Sequence, residues 1–409
     1  MSRPDLKRRS FLKLGLTGLA AAGAVPSAAH ALASTGLPQA GGQTTAPQPK
    51  RIFRTLGRTG LKLPVVSMGV MNADNPNLVQ AALDRGILLL DTAYGYQRGR
   101  NEQMIGQVIK GRPRDSYFIA TKIPSPARGR DTRSLSEAEA MADFLGKFDT
   151  SLGRLGLDYV DILSLHNVDK REAALYEPVL KALTKAKKEG KARFVGVTTH
   201  GNEPEVLRAA AESGVYDVVI NAFNFRQDHR SEVSKAMAEA VKAGLGIIAM
   251  KTQAGAFWDR EKQQPINMTA ALKWALADPS VTTAIPGFTT FDQLETDLAV
   301  MNDLRLTEQE LKDLRFHPET GGLYCQQCGQ CLPACPPNLP LPDLMRSYMY
   351  AYGYRNLEAA HDLVTSLELP DSPCRDCAVC GVRCAKGFDV AGRVRDIVRL
   401  RALPGDLFA

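Results

Sequence analysis

A chain of 409 residues is longer than one ordinary hydrophobic core organises, so its length predicts two domains or a large barrel with an appendage. Hydrophobic residues make up 44% and charged residues 23%, which is the balance of a folded globular protein and excludes a disordered one. The formal charge of +7 lies mostly in the first 33 residues, whose five Lys or Arg and one Asp contribute +4. The remaining +3 (7 − 4) gives no reason to expect nucleic-acid binding.

The N-terminus has the three parts of an export signal. Lys7-Arg8-Arg9-Ser10-Phe11-Leu12-Lys13 precedes an apolar run at 14–25, and the cleavage motifs Ala29-His30-Ala31 and Ala31-Leu32-Ala33 follow. The run is too short to span a bilayer, so this is typical of a secretory signal rather than of an integral membrane protein. The paired arginines resemble a twin-arginine signal. We therefore predict a signal peptide for the twin-arginine export machinery at 1–33, a flexible linker at 34–50, and a periplasmic or otherwise exported protein. An amphipathic N-terminus or an uncleaved anchor is the alternative.

After the linker, short apolar runs alternate with amphipathic helical segments. Residues 52–64 alternate in polarity around a turn at 57–60 and predict a hairpin. Strands are predicted at 65–70, 87–91, 117–122, 159–166, 193–198, 217–222, 246–251 and 282–286. Helices are predicted between them, for example at 136–154, 173–189, 204–213, 230–243 and 267–277. Eight such units in about 250 residues predict an α/β fold, a (β/α)8 TIM barrel at 51–315, with a doubly wound open sheet as the alternative.

Three of the predicted strands end in a titratable residue, although buried strands normally end in apolar ones. These residues are Asp91, Lys122 and His166, and Tyr96 lies just beyond the first of them. Active sites of barrels lie at the carboxyl ends of the strands, and a buried lysine needs a carboxylate, which Asp91 can supply. We therefore predict these four residues as catalytic. Taken singly, such an Asp could cap a helix and such a His could be a core residue.

The same positions resemble a known family. Asp91-Thr92-Ala93-Tyr94-Gly95-Tyr96 matches the Asp-x-Ala-x-x-Tyr motif of the aldo/keto reductase superfamily, and Lys122 and His166 fall where that family has its lysine and histidine. The resemblance covers residues 51–303. It implies a small carbonyl or alcohol substrate, with Tyr96 donating a proton to the carbonyl oxygen as a hydride reaches the carbon. It further implies that Lys122 lowers the pKa of the phenol, that Asp91 holds the lysine, and that His166 orients the carbonyl.

The resemblance also points to cofactor-binding residues. The Ser-Asn pair of the family corresponds to Thr198 and Thr199, which with Asn221 would hold a nicotinamide carboxamide, so NAD(P)H is a candidate cofactor. Lys251 is a further cofactor-binding candidate and could serve the phosphate of a flavin. The flavin is disfavoured but left open, because no flavin-specific motif supports it.

Two positions depart from the family pattern. The aromatic residue that stacks on the nicotinamide corresponds to Met250. The phosphate-binding residues after the last strand correspond to Gly287 and Gln293, which carry no charge. These departures weaken the expectation of an NADP site, and free NADPH is not expected outside the cytoplasm.

All eight cysteines lie near the end of the chain in two motifs of identical spacing, Cys-x-x-Cys-x-x-Cys-x-x-x-Cys. Three closely spaced thiolates can surround one corner of an iron–sulfur cube, and the displaced fourth can reach another cluster. We therefore predict two 4Fe–4S clusters with crossed ligation. The first would be held by Cys325, Cys328, Cys331 and Cys384, and the second by Cys374, Cys377, Cys380 and Cys335.

Two other uses of the cysteines compete. Zinc sites need two Cys-x-x-Cys pairs per metal rather than a repeated three-plus-one pattern, and a disulfide framework would fit the even count in an exported chain. The spacer at 341–367 has Leu, Met, Tyr and Ala at helical intervals. The region resembles the mostly α-helical type of two-cluster ferredoxin domain, predicted at 316–409. The whole chain therefore most resembles the ferredoxin-linked branch of the superfamily.

Three functions follow from these patterns. The first is an exported iron–sulfur oxidoreductase that interconverts a carbonyl and an alcohol, with electrons relayed through the clusters to or from an electron-transfer protein. The second is an NAD(P)H-dependent reductase with structural clusters. The third is a non-enzymatic electron-transfer subunit that keeps the barrel as a scaffold. The intact catalytic set favours an enzyme over the third, and the export signal and uncharged phosphate positions favour the first over the second.

Overall fold

The computed structural model describes residues 50–126, 135–258, 263–315, 323–374, 377 and 380–408. The predicted signal peptide and the linker up to residue 49 lie outside these residues. In the described part of the chain, no helix is both long and apolar enough to cross a membrane.

The centre of the molecule is a parallel barrel preceded by a hairpin. The predicted hairpin is confirmed as the antiparallel pair β1 (Phe53–Thr55) and β2 (Lys62–Pro64). Eight parallel strands follow in sequential order, and a bridge between Val66 and Ala284 joins the last strand to the segment before the first. They are β3 (Met68–Gly69), β4 (Leu89–Asp91), β5 (Phe118–Pro124), β6 (Val160–His166), β7 (Ala192–Thr199), β8 (Val218–Ala222), β9 (Gly246–Met250) and β10 (Val281–Ala284).

A helix follows every barrel strand, as the alternating pattern predicted. The helices of the barrel are α1 (Pro76–Asp84), α2 (Arg100–Ile109), α3 (Glu137–Leu155), α4 (Arg171–Ala174), α5 (Glu177–Lys188), α6 (Glu203–Ser213), α7 (Arg230–Lys242), α8 (Met268–Ala277), α9 (Phe291–Val300) and α10 (Glu308–Asp313). The longest, α3, begins with a capping box between Ser136 and Glu139 and ends at Gly156, whose φ of 66° suits glycine. The eight-unit (β/α)8 prediction is therefore confirmed.

Several predicted strand ends are wrong. The strand predicted at 65–70 is only Met68–Gly69, and the one predicted to end at Lys122 continues to Pro124. The strand predicted at 246–251 ends at Met250, because Lys251 has a left-handed backbone with φ of 54° and cannot continue it. Apolar runs locate strands well but do not fix their last residue.

The hairpin closes the amino-terminal end of the barrel. Leu56, Leu61 and Leu63 are buried among side chains of the barrel interior. The backbone N of Arg58 donates to the carbonyl of Gly244, just before β9. At Gly246 an added Cβ would lie 2.5 Å from the Leu56 side chain, so this close approach requires glycine. The opposite end of the barrel is left for the site.

The C-terminal region is mostly helical and has its own apolar cluster. Its helices are α11 (Leu341–Tyr352), α12 (Leu357–Thr365) and α13 (Val390–Ile397), so the helical spacer is confirmed as two helices. Leu344, Val364 and Val394, one from each helix, are buried together with Cys335. The predicted boundary after residue 315 stays a prediction, because residues 49–409 form one compact unit.

Candidate active site

The predicted catalytic groups meet at the carboxyl ends of β4, β5 and β6. Nζ of Lys122 lies 2.6 Å from Oδ2 of Asp91 and donates to the Tyr96 hydroxyl at 3.2 Å and to the Thr92 carbonyl at 2.6 Å. Lys122 is 1% exposed and Asp91 2%. The three protons of the ammonium therefore all have partners, and one of those partners is the phenol.

The fourth group, His166, lies beside the phenol. The rings of His166 and Tyr96 are edge to face, with centroids 5.8 Å apart. Both residues are partly exposed, unlike the ion pair behind them. The structure therefore brings all four predicted groups together, with Tyr96 and His166 towards the opening.

Buried polar contacts fix the loop between β4 and α2. The Thr92 hydroxyl donates to Oδ1 of Asn101 at 2.7 Å, and the Asn101 amide donates to the Val70 carbonyl at 2.8 Å. The carboxylate of Glu102 accepts from the Thr121 hydroxyl at 2.7 Å. Because buried polar groups are costly unless paired, these contacts hold the loop in one position. The sequence analysis assigned no role to Asn101 or Glu102.

The loop after Tyr96 has a strained backbone. Gln97 and Arg98 both have left-handed φ angles, 50° and 54°, which non-glycine residues rarely adopt. The Gln97 amide donates to the Met71 carbonyl at 3.1 Å. The Arg98 guanidinium donates to Asp362 of α12 at 2.8 Å. This loop therefore connects the catalytic tyrosine to the C-terminal region.

The environment keeps the phenol protonated. Burial raises the pKa of Tyr96 to about 12, and the charge of Lys122 offsets this only in part. The lowering implied by the family resemblance is thus outweighed by burial. Burial opposes the charged form of Lys122, but Asp91 and Tyr96 together outweigh burial and raise the pKa of the lysine. The result is a protonated acid beside a fixed cation.

The residues predicted to bind nicotinamide lie side by side, but some of their polar atoms already form hydrogen bonds within the protein. Thr199 of β7 is paired in register with Asn221 of β8. The Thr199 hydroxyl donates to the Gly201 carbonyl at 2.8 Å, and the Thr198 hydroxyl accepts from the Asn167 backbone at 2.8 Å. Oδ1 of Asn221 is buried and has no hydrogen-bond partner among the described residues. Only Asn221 therefore presents an unused polar atom.

The C-terminal region reaches this same end of the barrel. Nη1 of Arg346, on α11, lies 2.9 Å from Nδ1 of His200 and donates to Oδ1 of Asn167 at 2.7 Å. Oε1 of Gln327 lies 3.1 Å from Nδ1 of His200. Arg346 also pairs with Asp343. Burial, and then the charge of Arg346, set the pKa of His200 well below its ordinary value, so the ring stays neutral.

Arg346 and Gln327 were not predicted from the sequence to reach the site. Arg346 and His200 are separated by 146 residues, so no local motif joins them. The one available signal was an arginine among the apolar residues of the helical spacer. Its guanidinium is 3% exposed, and a buried charge of this kind requires a partner elsewhere in the fold.

Lys251 lies between the barrel and α11. Its Nζ lies 5.8 Å from the ring centroid of Tyr350 and 5.5 Å from that of Tyr354. Burial lowers the pKa of Lys251, and the charges of Arg346 and Lys122 lower it further.

Gln293, at a position where the family binds the cofactor phosphate, has a structural role here. It accepts from the Thr289 backbone at 2.8 Å and so completes the cap of α9.

Comparison with known proteins identifies the barrel. The model of the Aldo/keto reductase family matches residues 67–270. The chain contains an aldo/keto reductase domain. It is 27% identical over 345 residues to L-glyceraldehyde 3-phosphate reductase of Escherichia coli, covering 67% of this chain and 94% of the relative. It is 26% identical over 292 residues to L-galactose dehydrogenase of Arabidopsis thaliana, covering 62% and 88%. The protein is therefore an aldo/keto reductase-type oxidoreductase.

Solved structures agree on the fold. The holo form of an aldo-keto reductase from Bacillus halodurans has a TM-score of 0.51 at 22% identity and covers 65% of this chain and 95% of its own. A thermostable aldo-keto reductase in complex with the inhibitor epalrestat has a TM-score of 0.52 at 24% identity and covers 64% and 98%. The matched shares correspond in size to the barrel.

The first cysteine motif lies next to the aldo/keto reductase domain. All eight cysteines are free thiols. Burial raises the pKa of the Cys325 thiol to about 12. Negative charge on the thiolates of Cys328, Cys331 and Cys384 also raises it. The backbone N of Gln327 donates to Sγ of Cys325 at 3.3 Å. The same residue therefore contacts a predicted cluster ligand and His200.

The second motif borders a small cavity. Burial raises the pKa of the Cys374 thiol, and negative charge on the thiolates of Cys335, Cys377 and Cys380 raises it further. These four cysteines line a cavity of about 160 Å³. Within the described ranges, no group of three or more His, Cys, Asp or Glu side chains has the arrangement of a metal site. The cluster ligands therefore stay a prediction.

Proposed function

We propose that the protein is an exported iron–sulfur oxidoreductase whose barrel interconverts a carbonyl and an alcohol at Tyr96. The observation that carries this proposal is the position of the Lys122 ammonium, 2.6 Å from Asp91 and 3.2 Å from the phenol. A scaffold without activity has no need of a buried ion pair, because apolar residues would stabilise it equally well. The arrangement therefore favours an enzyme over an inert electron carrier.

The residues of the barrel supply the acid chemistry. Reduction of a carbonyl adds two electrons and two protons across the C=O bond. Two reduced clusters would supply one electron each, Tyr96 delivers the proton that ends on oxygen, and water at the opening supplies the proton that ends on carbon. Its raised pKa keeps that proton in place until negative charge develops on the carbonyl oxygen. Lys122 then stabilises the phenolate, Asp91 holds Lys122, and His166 orients the carbonyl oxygen. Solvent reaches Tyr96 through the opening and restores its proton.

The cysteines fit two 4Fe–4S clusters by their chemistry. One set of four thiols combines both motifs, because Cys335 of the first motif lines the same cavity as Cys374, Cys377 and Cys380 of the second. This grouping supports the crossed ligation that the spacing predicted. Bound clusters would supply single-electron transfer. Cysteines of both motifs pack in one apolar cluster of the C-terminal region, so the two sets would be neighbours.

The partner would be an acidic one-electron transfer protein. Beside Cys374, a surface cavity of about 570 Å³ is lined by Arg395, Arg399 and Arg401. Arg395 and Arg399 are exposed. A basic patch of this kind attracts an acidic partner by complementary charge. Electrons would thus enter near the second cysteine set, while the first set faces the barrel.

Export would follow the twin-arginine route. Residues 1–33 carry the signal pattern, and that route transports folded proteins. Clusters could then be inserted in the cytoplasm before transport. The periplasm or another exported location is therefore the proposed compartment.

An NAD(P)H-dependent reductase with structural clusters is the second candidate. The observation that favours it is Asn221, whose buried Oδ1 has no partner among the described residues and lies beside Thr199. A carboxamide could donate to that oxygen. The neighbouring polar groups argue against this candidate, because they already have partners in the protein. Thr198 accepts from Asn167 and Thr199 donates to Gly201. His200 contacts Gln327 and Arg346.

Turnover of Tyr96→Phe tests the proposal. Full-length protein, loaded with iron and sulfide under anaerobic conditions, is supplied with dithionite-reduced methyl viologen and a panel of aldehydes. We expect the variant to lose on the order of 10²- to 10⁴-fold in kcat, because the general acid is missing. Unchanged turnover would reject Tyr96 as the acid. Turnover supported by NADPH but not by reduced viologen would favour the second candidate.

A further inference from the structure

The charges at the opening of the barrel do not balance. Lys122 is paired with Asp91 and Arg346 with Asp343. Lys251 has no carboxylate within 4 Å in the described part of the chain, and its ammonium lies against the rings of Tyr350 and Tyr354. Buried or half-buried cations are normally paired, so one positive charge at this opening lacks its counter-ion.

Two features next to that charge indicate a ligand. Lys251 holds a left-handed φ of 54°, a strain that is concentrated at ligand-binding positions. The next residue, Thr252, is 1% exposed, and its hydroxyl has no hydrogen-bond partner among the described residues. Unpaired buried hydroxyls are rare because they cost free energy. A ligand with an anionic oxygen would satisfy the ammonium.

The position of this charge relates it to the reacting carbonyl. Lys251 directly follows Met250, the last residue of β9, so it lies at the same carboxyl end of the barrel as Lys122 and Tyr96. Its ammonium contacts the ring of Tyr350 on α11, on the side covered by the C-terminal region. A small molecule whose carbonyl contacts Tyr96 can place a second group against Lys251.

We propose that Lys251 binds an anionic group, a carboxylate or a phosphate ester, carried by the carbonyl substrate. The inference rests on the proposed carbonyl chemistry and names its substrate class. The rings of Tyr350 and Tyr354 form one wall of this anion site, so the C-terminal region contributes to substrate choice as well as to electron transfer.

Matched pairs of substrates test the proposal. With reduced viologen as donor, kcat/KM is measured for 4-carboxybenzaldehyde against benzaldehyde, and for glycolaldehyde phosphate against glycolaldehyde. The wild-type protein should prefer the charged member of at least one pair by roughly ten- to hundred-fold, the range of a charge-assisted contact. The pair that shows the preference distinguishes carboxylate from phosphate. Lys251→Met should remove the preference and Lys251→Arg should keep most of it. An equal preference in Lys251→Met would overturn the proposal.

A binding measurement separates this inference from the catalytic one. Calorimetric titration of 4-(hydroxymethyl)benzoate, of inorganic phosphate and of NADPH is carried out on full-length Tyr96→Phe, with and without Lys251→Met, so that no turnover is needed. Weaker binding of either anion by at least ten-fold in the double variant supports the anion site even if no carbonyl is ever reduced. Equal binding, or a loss confined to NADPH, would refute it, because the charge would then serve a cofactor or nothing.

Discussion

Replacing Lys122 with Met removes the ammonium between Asp91 and Tyr96. Removing one member of a buried ion pair costs about 3–5 kcal/mol, because the remaining charge stays buried without a partner. Lys122 is 1% exposed and Asp91 2%, so the upper part of that range applies to the free energy of unfolding. Asp91→Asn added to Lys122→Met removes the orphaned carboxylate and should recover most of the loss.

The wild type, the two single variants and the double variant form a double-mutant cycle. Urea denaturation of these four proteins gives the coupling free energy between Lys122 and Asp91, and steady-state kinetics gives the effect of each substitution on kcat. Stability should return in the double variant while kcat stays low, since the phenolate then lacks its cation. Lys147→Met is the matched control: Lys147 lies 2.5 Å from Asp143 on the surface of α3, where such a pair contributes about 0–1 kcal/mol. A Lys122→Met protein no less stable than the control, or full turnover in the double variant, would refute this role of the ion pair.

Three further predictions concern the regions around the site. Arg98→Ala should loosen the contact with Asp362, lower the free energy of unfolding by about 1 kcal/mol, and speed hydrogen exchange in the loop after β4; unchanged exchange would argue against this connection. Burial raises the pKa of Asp297 from 3.8 to about 7, so the native state keeps a proton that the unfolded chain has lost, and stability should fall as pH rises from 4 to 7 by roughly 4 kcal/mol. Asp297→Asn should flatten that dependence in thermal melts, and an unaltered slope would contradict the assignment. Arg399→Glu should slow reduction by an acidic donor protein at low salt but not by viologen, and equal slowing with both donors would exclude a docking role.

The barrel was predictable because its signal is local. Each apolar run of about five residues followed by an amphipathic segment specifies one strand and one helix, and all eight units were located this way. The ends were less certain, because a strand end depends on backbone angles. Lys251 interrupts β9 through its left-handed φ, and nothing in its side chain predicts that.

The catalytic groups were predictable for the same reason. Asp91 ends β4, Tyr96 lies in the loop after it, and Lys122 lies near the end of the neighbouring β5, so the order of strands alone places them together. Arg346 and Gln327 were not predictable, because they reach the site through the docking of a separate helical region. The lowering effect of Lys122 on the pKa of Tyr96 was predicted, but the net rise was not, because a sequence does not reveal the burial that outweighs it.

The proposed function requires iron–sulfur clusters that exchange electrons with the carbonyl site. Its most direct test is anaerobic isolation of the full-length chain, followed by iron and sulfide analysis and visible spectra. We expect about eight irons per chain and a brown colour that dithionite bleaches, NADPH leaves unchanged, and an aldehyde restores in the wild type but not in Tyr96→Phe. Colourless protein with zinc or cystine at the eight cysteines, or rapid bleaching by NADPH, would contradict the account.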